Sequence, residues 1–122
     1  LGSPFNNHEG RTWVSHIYEL FNSGPEVNWS WVENQTPGLS DPPSVPFTSV
    51  FSRADGVAHW QTCMQRNGHD KCENVEVYGS HTGMCFNVAA LYVVADRLCQ
   101  RESNWGQFVV PRRLKWLFPF RD

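Results

Sequence analysis

The chain has 122 residues, 40% of them hydrophobic and 14% aromatic, with six Trp and eight Phe, which suits one folded domain with a core and excludes a disordered chain. Ten Lys and Arg against twelve Asp and Glu give a net charge of −2, so nothing in the balance points to nucleic acid as a partner. No apolar run approaches the roughly 20 residues of a membrane span, so no transmembrane segment is expected.

In chain order, Leu1 to Phe5 reads as the tail of a strand, ended at Ser3-Pro4 because proline cannot donate to a ladder. Arg11 to Phe21 sets Trp13, Ile17, Leu20 and Phe21 at helical spacing with Val14 beside them, and Gly24-Pro25 stops the pattern, so an amphipathic helix is expected. Its aromatic face is either ordinary core or a lid over a pocket. Val27 to Glu33 adds Trp29 and Trp31 in alternation, and Asn34 to Pro46 is a linker dense in Pro, Ser, Gly and Asp. Residues 6–44 therefore read as a lid- or cap-like insertion and as the place for substrate selectivity.

The chain is organised around Val45 to Arg97. Val45 to Ser52 is rich in β-branched and aromatic residues and closes on Arg53-Ala54-Asp55-Gly56, so a strand is expected to deliver Asp55 into a turn. Glu73 to Tyr78 alternates as a second strand and closes on Gly79-Ser80-His81-Thr82-Gly83. One acid and one histidine thus stand just past neighbouring strand ends, where open α/β sheets bind their ligands. Asp55 has two readings, catalysis or the capping of its own turn and of a short helix starting near Val57. His81, framed by two glycines that let the backbone bend, is either an acid–base catalyst or a loop histidine bonding backbone. Arg53 pairs with Asp55 or is solvated, His59 reads as a supporting or surface residue, and His8, His16 and His69 lack comparable framing.

Asn87 is expected to cap a helix in which Leu91, Val94, Ala95 and Leu98 pack on the sheet while Asp96-Arg97 faces outward or pairs locally. Val109 to Asp122 mixes Arg112, Arg113, Lys115 and Arg121 with Trp116, Leu117, Phe118 and Phe120. Docking on the body is the first reading of this tail, and an interfacial amphipathic segment the second.

The run Phe51-Ser52-Arg53-Ala54-Asp55-Gly56-Val57-Ala58-His59-Trp60, followed by Glu73-Asn74-Val75-Glu76-Val77-Tyr78-Gly79-Ser80-His81-Thr82-Gly83-Met84, resembles the C-terminal half of bacterial α/β-hydrolases of the lipase and esterase type. The triad of that fold follows the chain order Ser, then Asp or Glu, then His. Asp55 matches the acid position and His81 the histidine position, 26 residues apart. Leu1 to Phe5 is similar to the end of the family's preceding strand, and Asn87 to Phe108 resembles its last helix and closing segment. Val88 stands where relatives tend to carry proline, which is favoured but not required in a first helical turn.

The resemblance implies an α/β fold class, the C-terminal part of an α/β-hydrolase fold with parallel strands and flanking helices, its N-terminal strands absent. Residues 1–122 would be a single partial domain, with 45–108 the acid- and histidine-bearing core and 109–122 a C-terminal tail. The activity implied is that of a serine carboxylic-ester hydrolase acting on a small-molecule or lipid ester, with no metal or organic cofactor. The nucleophile elbow Gly-x-Ser-x-Gly does not occur, and in Gly79-Ser80-His81-Thr82-Gly83 the serine directly follows the first glycine. The serine is therefore expected elsewhere, the chain alone to be inactive, and the sheet to need the missing N-terminal part or a second chain. A start at Leu1-Gly2, with no Met before Met64, fits a processed or truncated N-terminus. The alternative is a non-catalytic half-fold serving as a scaffold or homo-oligomer, since a short parallel sheet leaves an open edge.

Cys63, Cys72, Cys85 and Cys99 permit three pairings. A disulfide between Cys63 and Cys72 would clip the polar loop between the strands and lean towards a secreted or periplasmic protein, whereas four reduced thiols suit the cytoplasm. Cys99 reads as a small buried hydrophobe. Zinc held by Cys63, His69 and Cys72 with His59 or Cys85 is disfavoured, because Cys-x5-His-x2-Cys is not a usual ligand spacing.

Overall fold

A computed structural model describes residues 1–4, 41, 43–65 and 70–119. The helix expected over Arg11 to Phe21, the Trp29 and Trp31 alternation, nearly all of the 6–44 insertion, and His8, His16 and His69 lie outside the described residues.

Strand β1 spans Phe47–Phe51 and β2 spans Cys72–Glu76, paired in parallel with Val50 opposite Val75 and Phe51 opposite Glu76. β1 falls inside the expected Val45 to Ser52. β2 begins one residue earlier than expected and ends two earlier, although the Val77 N–H still donates to the Phe51 carbonyl at 2.9 Å. Side chains of a strand alternate between faces, so Val50, Val75 and Val77 turn to one side of the pair. There they meet Met84, Ala89, Ala90, Val93 and Phe118 in the main core. Phe51 turns to the other side and meets Ala58 and Cys63 in a second, smaller cluster. Each fully buried valine contributes about 1.5–3 kcal/mol by leaving water.

Helix α1 spans Val88–Cys99. Asn87 caps it as expected, its side chain accepting from the Ala90 N–H at 3.0 Å, while its amide donates to the Tyr78 carbonyl just past β2. At the far end Arg97 reaches Glu73 near the start of β2 at 2.9 Å. The helix therefore runs antiparallel to the strands, with its N-terminus at their carboxyl ends. Its buried face differs from the expected one: Ala89, Ala90 and Val93 pack on the sheet, whereas Leu91 and Ala95 are exposed and Leu98 is 81% exposed. Small residues let the helix approach the valines closely, which turns the larger aliphatics outward. Cys99 shares that outward side and is exposed rather than buried.

Arg97 is not an outward or purely local residue. Besides Asp96, it holds Glu73 and the Gly106 carbonyl. Glu73 also accepts from the Thr48 hydroxyl at 2.8 Å and from the Phe108 N–H at 2.6 Å. This buried cluster ties both strands, α1 and the closing segment together. Beyond it a 3₁₀ turn, Arg112–Leu117, docks Leu114 and Leu117 against the main core, so the described part of the tail, to Pro119, lies on the body.

All four cysteines are free. Of the two readings, the clip between Cys63 and Cys72 is not formed and the four thiols stand reduced. Cys63 ends the 3₁₀ turn Trp60–Cys63 and points inward, its Sγ 3.7 Å from the His59 carbonyl.

Candidate functional site

The first element of the site is the turn after β1. The Asp55 N–H donates to the Ser52 carbonyl, and the Ser52 hydroxyl accepts from the Ala54 N–H, folding the chain sharply at the strand end. This presents Asp55, whose Oδ1 accepts from the N–H groups of Val57 and Ala58, both at 2.9 Å. The second element is the turn after β2. Gly79 and Ser80 lead into His81, which precedes the 3₁₀ turn Thr82–Phe86 and carries φ −51° and ψ −56°. The Ser80 hydroxyl accepts from the Gly83 N–H, and the Met84 N–H donates to the Ser80 carbonyl, so the histidine sits on a tightly bonded corner.

The two corners meet. His81 Nδ1 stands 2.8 Å from Asp55 Oδ2. The Asp55 side chain is 1% exposed and that of His81 36% exposed, so the acid is sealed and the imidazole opens to solvent. A carboxylate oxygen accepts, which places the ring proton on Nδ1 and leaves Nε2 as the basic nitrogen of the neutral ring. Among the described residues nothing hydrogen-bonds Nε2. Its chemistry is that of an oriented general base, able to take a proton from a hydroxyl or water brought to its open side and to return it.

Asp55 bonds its own turn through Oδ1 and meets His81 through Oδ2, while the helical turn expected near Val57 begins only at Trp60. His81 bonds a side chain rather than backbone. Of the two readings of Arg53 the solvated one is nearer, its side chain 64% exposed: it reaches Glu76 at 3.3 Å and lies 4.8 Å from the centre of the Trp60 ring, leaving Asp55 to the histidine. His59 stacks beside Trp60, and its buried Nδ1 has no hydrogen-bond partner among the described residues. Ser52 and Ser80, the hydroxyls flanking the two corners, are engaged by backbone N–H groups and do not bond the imidazole.

One residue of the site carried no signal of its own in the sequence. Gly2 adopts φ +56°, donates its N–H to the Val50 carbonyl at 2.9 Å and lies against the acid. A Cβ there would stand 3.1 Å from Asp55 Oδ2 and 3.3 Å from the Met84 methyl. Gly2 and Met84 thus form the inner wall that seals Asp55.

No known family, curated protein or solved structure matches the chain. Its function has to be read from the site itself. Two cavities, of about 600 and 460 Å³, lie along the outer edges of β2 and β1, and neither is lined by Asp55 or His81. Among the described residues no three His, Cys, Asp or Glu side chains gather as metal ligands, and no helix is long and apolar enough to cross a membrane.

Proposed function

We propose that this chain supplies the acid and the histidine of a Ser-Asp-His triad in a carboxylic-ester hydrolase. The observation that carries the reading is the 2.8 Å pairing of a sealed Asp55 with an open His81, formed by two turns 26 residues apart. A turn aspartate needs no histidine, and a loop histidine needs no buried acid. A triad needs both, in this orientation.

In the proposed reaction a serine hydroxyl meets His81 Nε2 and loses its proton as it attacks an ester carbonyl. His81 then delivers that proton to the leaving alkoxide, and Asp55 holds the ring in the Nδ1–H tautomer while stabilising its charged form. Water hydrolyses the acyl-enzyme by the same route. The nucleophile belongs to a part of the enzyme outside these 122 residues, or to a second chain. The outer side of β1 supports such a completion: among the described residues no strand pairs there, and Val50 accepts one backbone hydrogen bond on that side from Gly2.

A form of the protein that includes the serine should be labelled by a serine-directed fluorophosphonate and should hydrolyse short-chain esters. Replacing His81 by Ala should lower turnover by several orders of magnitude. The 122-residue chain should show neither activity. Turnover by this chain that His81→Ala abolishes would overturn the placement of the nucleophile elsewhere, and near-normal turnover of the larger form with His81→Ala would remove the triad.

A second reading, a non-catalytic scaffold or homo-oligomer, draws on the exposed Val88, Leu91 and Leu98 of α1, the last of which lines the cavity beside β1. Sedimentation velocity separates them, since a scaffold of this kind self-associates with Asp55 and His81 both replaced.

A further inference from the structure

The docked tail leaves a face that neither the triad nor the fold requires. A 3₁₀ helix has three residues per turn, so residues three apart eclipse one another and the turn has three faces. In Arg112–Leu117 the inward face holds Leu114 and Leu117, with Pro111 preceding them. The second face stacks Arg112 on Lys115. The third stacks Arg113 on Trp116, whose indole N–H donates to the Arg113 carbonyl at 3.1 Å.

Both outer faces stand in solvent. Trp116 is 71% exposed, Val109 just before the turn is 80% exposed, and the three cations are exposed as well. Among the described residues none of Arg112, Arg113 and Lys115 is in an ion pair. Glu73 and Glu76, the acids that line the same cavity as Lys115, are held by Arg97 and Arg53. Three uncommitted cations on a chain of net charge −2, arranged around a bare indole and a bare valine, combine attraction for anions with an apolar tip that water solvates poorly.

We infer that this face, Arg112, Arg113, Lys115 and Trp116 with Val109, binds the surface of an anionic phospholipid bilayer. The cations meet the headgroups and the indole settles at the boundary with the acyl chains, where tryptophan is favoured. A basic residue near an anionic surface contributes about 1 kcal/mol, roughly a five-fold change in partitioning. The inward leucines hold the turn on the body, so the contact would place the whole domain on the membrane. The inference is independent of the proposed triad.

The test is co-sedimentation of the 122-residue chain with phosphatidylcholine vesicles, with and without phosphatidylserine. Binding is expected to require phosphatidylserine and to weaken as salt is raised. Combined Arg112→Gln, Arg113→Gln and Lys115→Gln should lower it by about two orders of magnitude, and Trp116→Ala should lower it further at any salt. Should the triple variant lose its far-UV circular dichroism, Arg112→Glu and Lys115→Glu repeat the test singly, each expected to lower binding more than about five-fold. Absence of phosphatidylserine-dependent binding, or binding unchanged in these variants, would overturn the inference. Tighter binding to poly(U) than to the vesicles, lost in Trp116→Ala, would also overturn it and give the face to single-stranded nucleic acid.

Discussion

Asp55 divides its carboxylate between two tasks, Oδ1 holding the N–H groups of its own turn and Oδ2 holding His81 Nδ1 at 2.8 Å. The division makes the two tasks separable by substitution. Asp55→Asn keeps an oxygen for Val57 and Ala58 but offers an amide, a donor, to the imidazole N–H. Stability should fall by no more than about 1 kcal/mol, while Asp55→Ala, which strands both turn N–H groups, should lose about 2–3 kcal/mol in urea denaturation. In the proposed hydrolase Asp55→Asn should still lower turnover by about 10⁴-fold, because the ring is held in the wrong tautomer.

Gly2 is the residue whose replacement should disturb this pair from outside. An alanine at φ +56° costs about 1–2 kcal/mol in backbone strain alone. Its Cβ would also crowd Asp55 Oδ2 at 3.1 Å, and Asp55 has three hydrogen bonds that resist movement. Gly2→Ala should therefore lower stability and weaken the downfield proton signal of the His81 Nδ1–H. A mild loss of stability with that signal unchanged would mean that only strain, and not the wall against Asp55, matters at this position.

The Glu73 and Arg97 side chains are only 8% and 12% exposed. Removing one partner of a buried pair leaves the other uncompensated, so Arg97→Ala should destabilise the chain by about 3–5 kcal/mol. The double variant Arg97→Met with Glu73→Gln should recover most of that loss. A double variant as unstable as the single one would show that the bonds to Thr48 and Phe108, rather than the unpaired charge, dominate.

Cys63 offers a pH-dependent check on the second core cluster. Burial pushes its thiol above the ordinary value of 9.0, outweighing the opposing hydrogen bond with Thr62. The unfolded chain then releases this proton at a lower pH than the folded chain. From about pH 9 upward the folded state binds more protons and stability falls with rising pH, until the folded thiol also ionises. Cys63→Ala should flatten that alkaline slope. Iodoacetamide should modify Cys85 and Cys99 in the native chain and reach Cys63 only on unfolding, as their exposure requires.

Local signals in the sequence carried both strands, the Asn87 cap and the turns that hold Asp55 and His81. A β-branched run closed by Asp-Gly, and an alternating run closed by glycines around a histidine, are short-range patterns that the backbone alone enforces. The buried face of α1 was not legible in this way. Its hydrophobic residues surround the helix, and the strand valines select Ala89, Ala90 and Val93 by size, an effect of the partner surface rather than of periodicity. The acid partners of Arg53 and Arg97 were not legible for a related reason: Glu76 is brought to Arg53 from the neighbouring strand by the parallel register, and Glu73 meets Arg97, which also pairs locally with Asp96, where α1 packs on the sheet. The contact of Gly2 with Asp55 spans more than fifty residues of chain and depends on a close backbone approach that glycine permits without announcing.

Asp55 holds His81 with its basic nitrogen free, and the tautomer of the neutral imidazole reports that arrangement. In ¹⁵N-labelled chain, long-range ¹H–¹⁵N spectra should show the His81 proton on Nδ1 and an unprotonated Nε2, with that preference lost in Asp55→Ala. A neutral ring protonated on Nε2, or a preference indifferent to Asp55, would contradict the account.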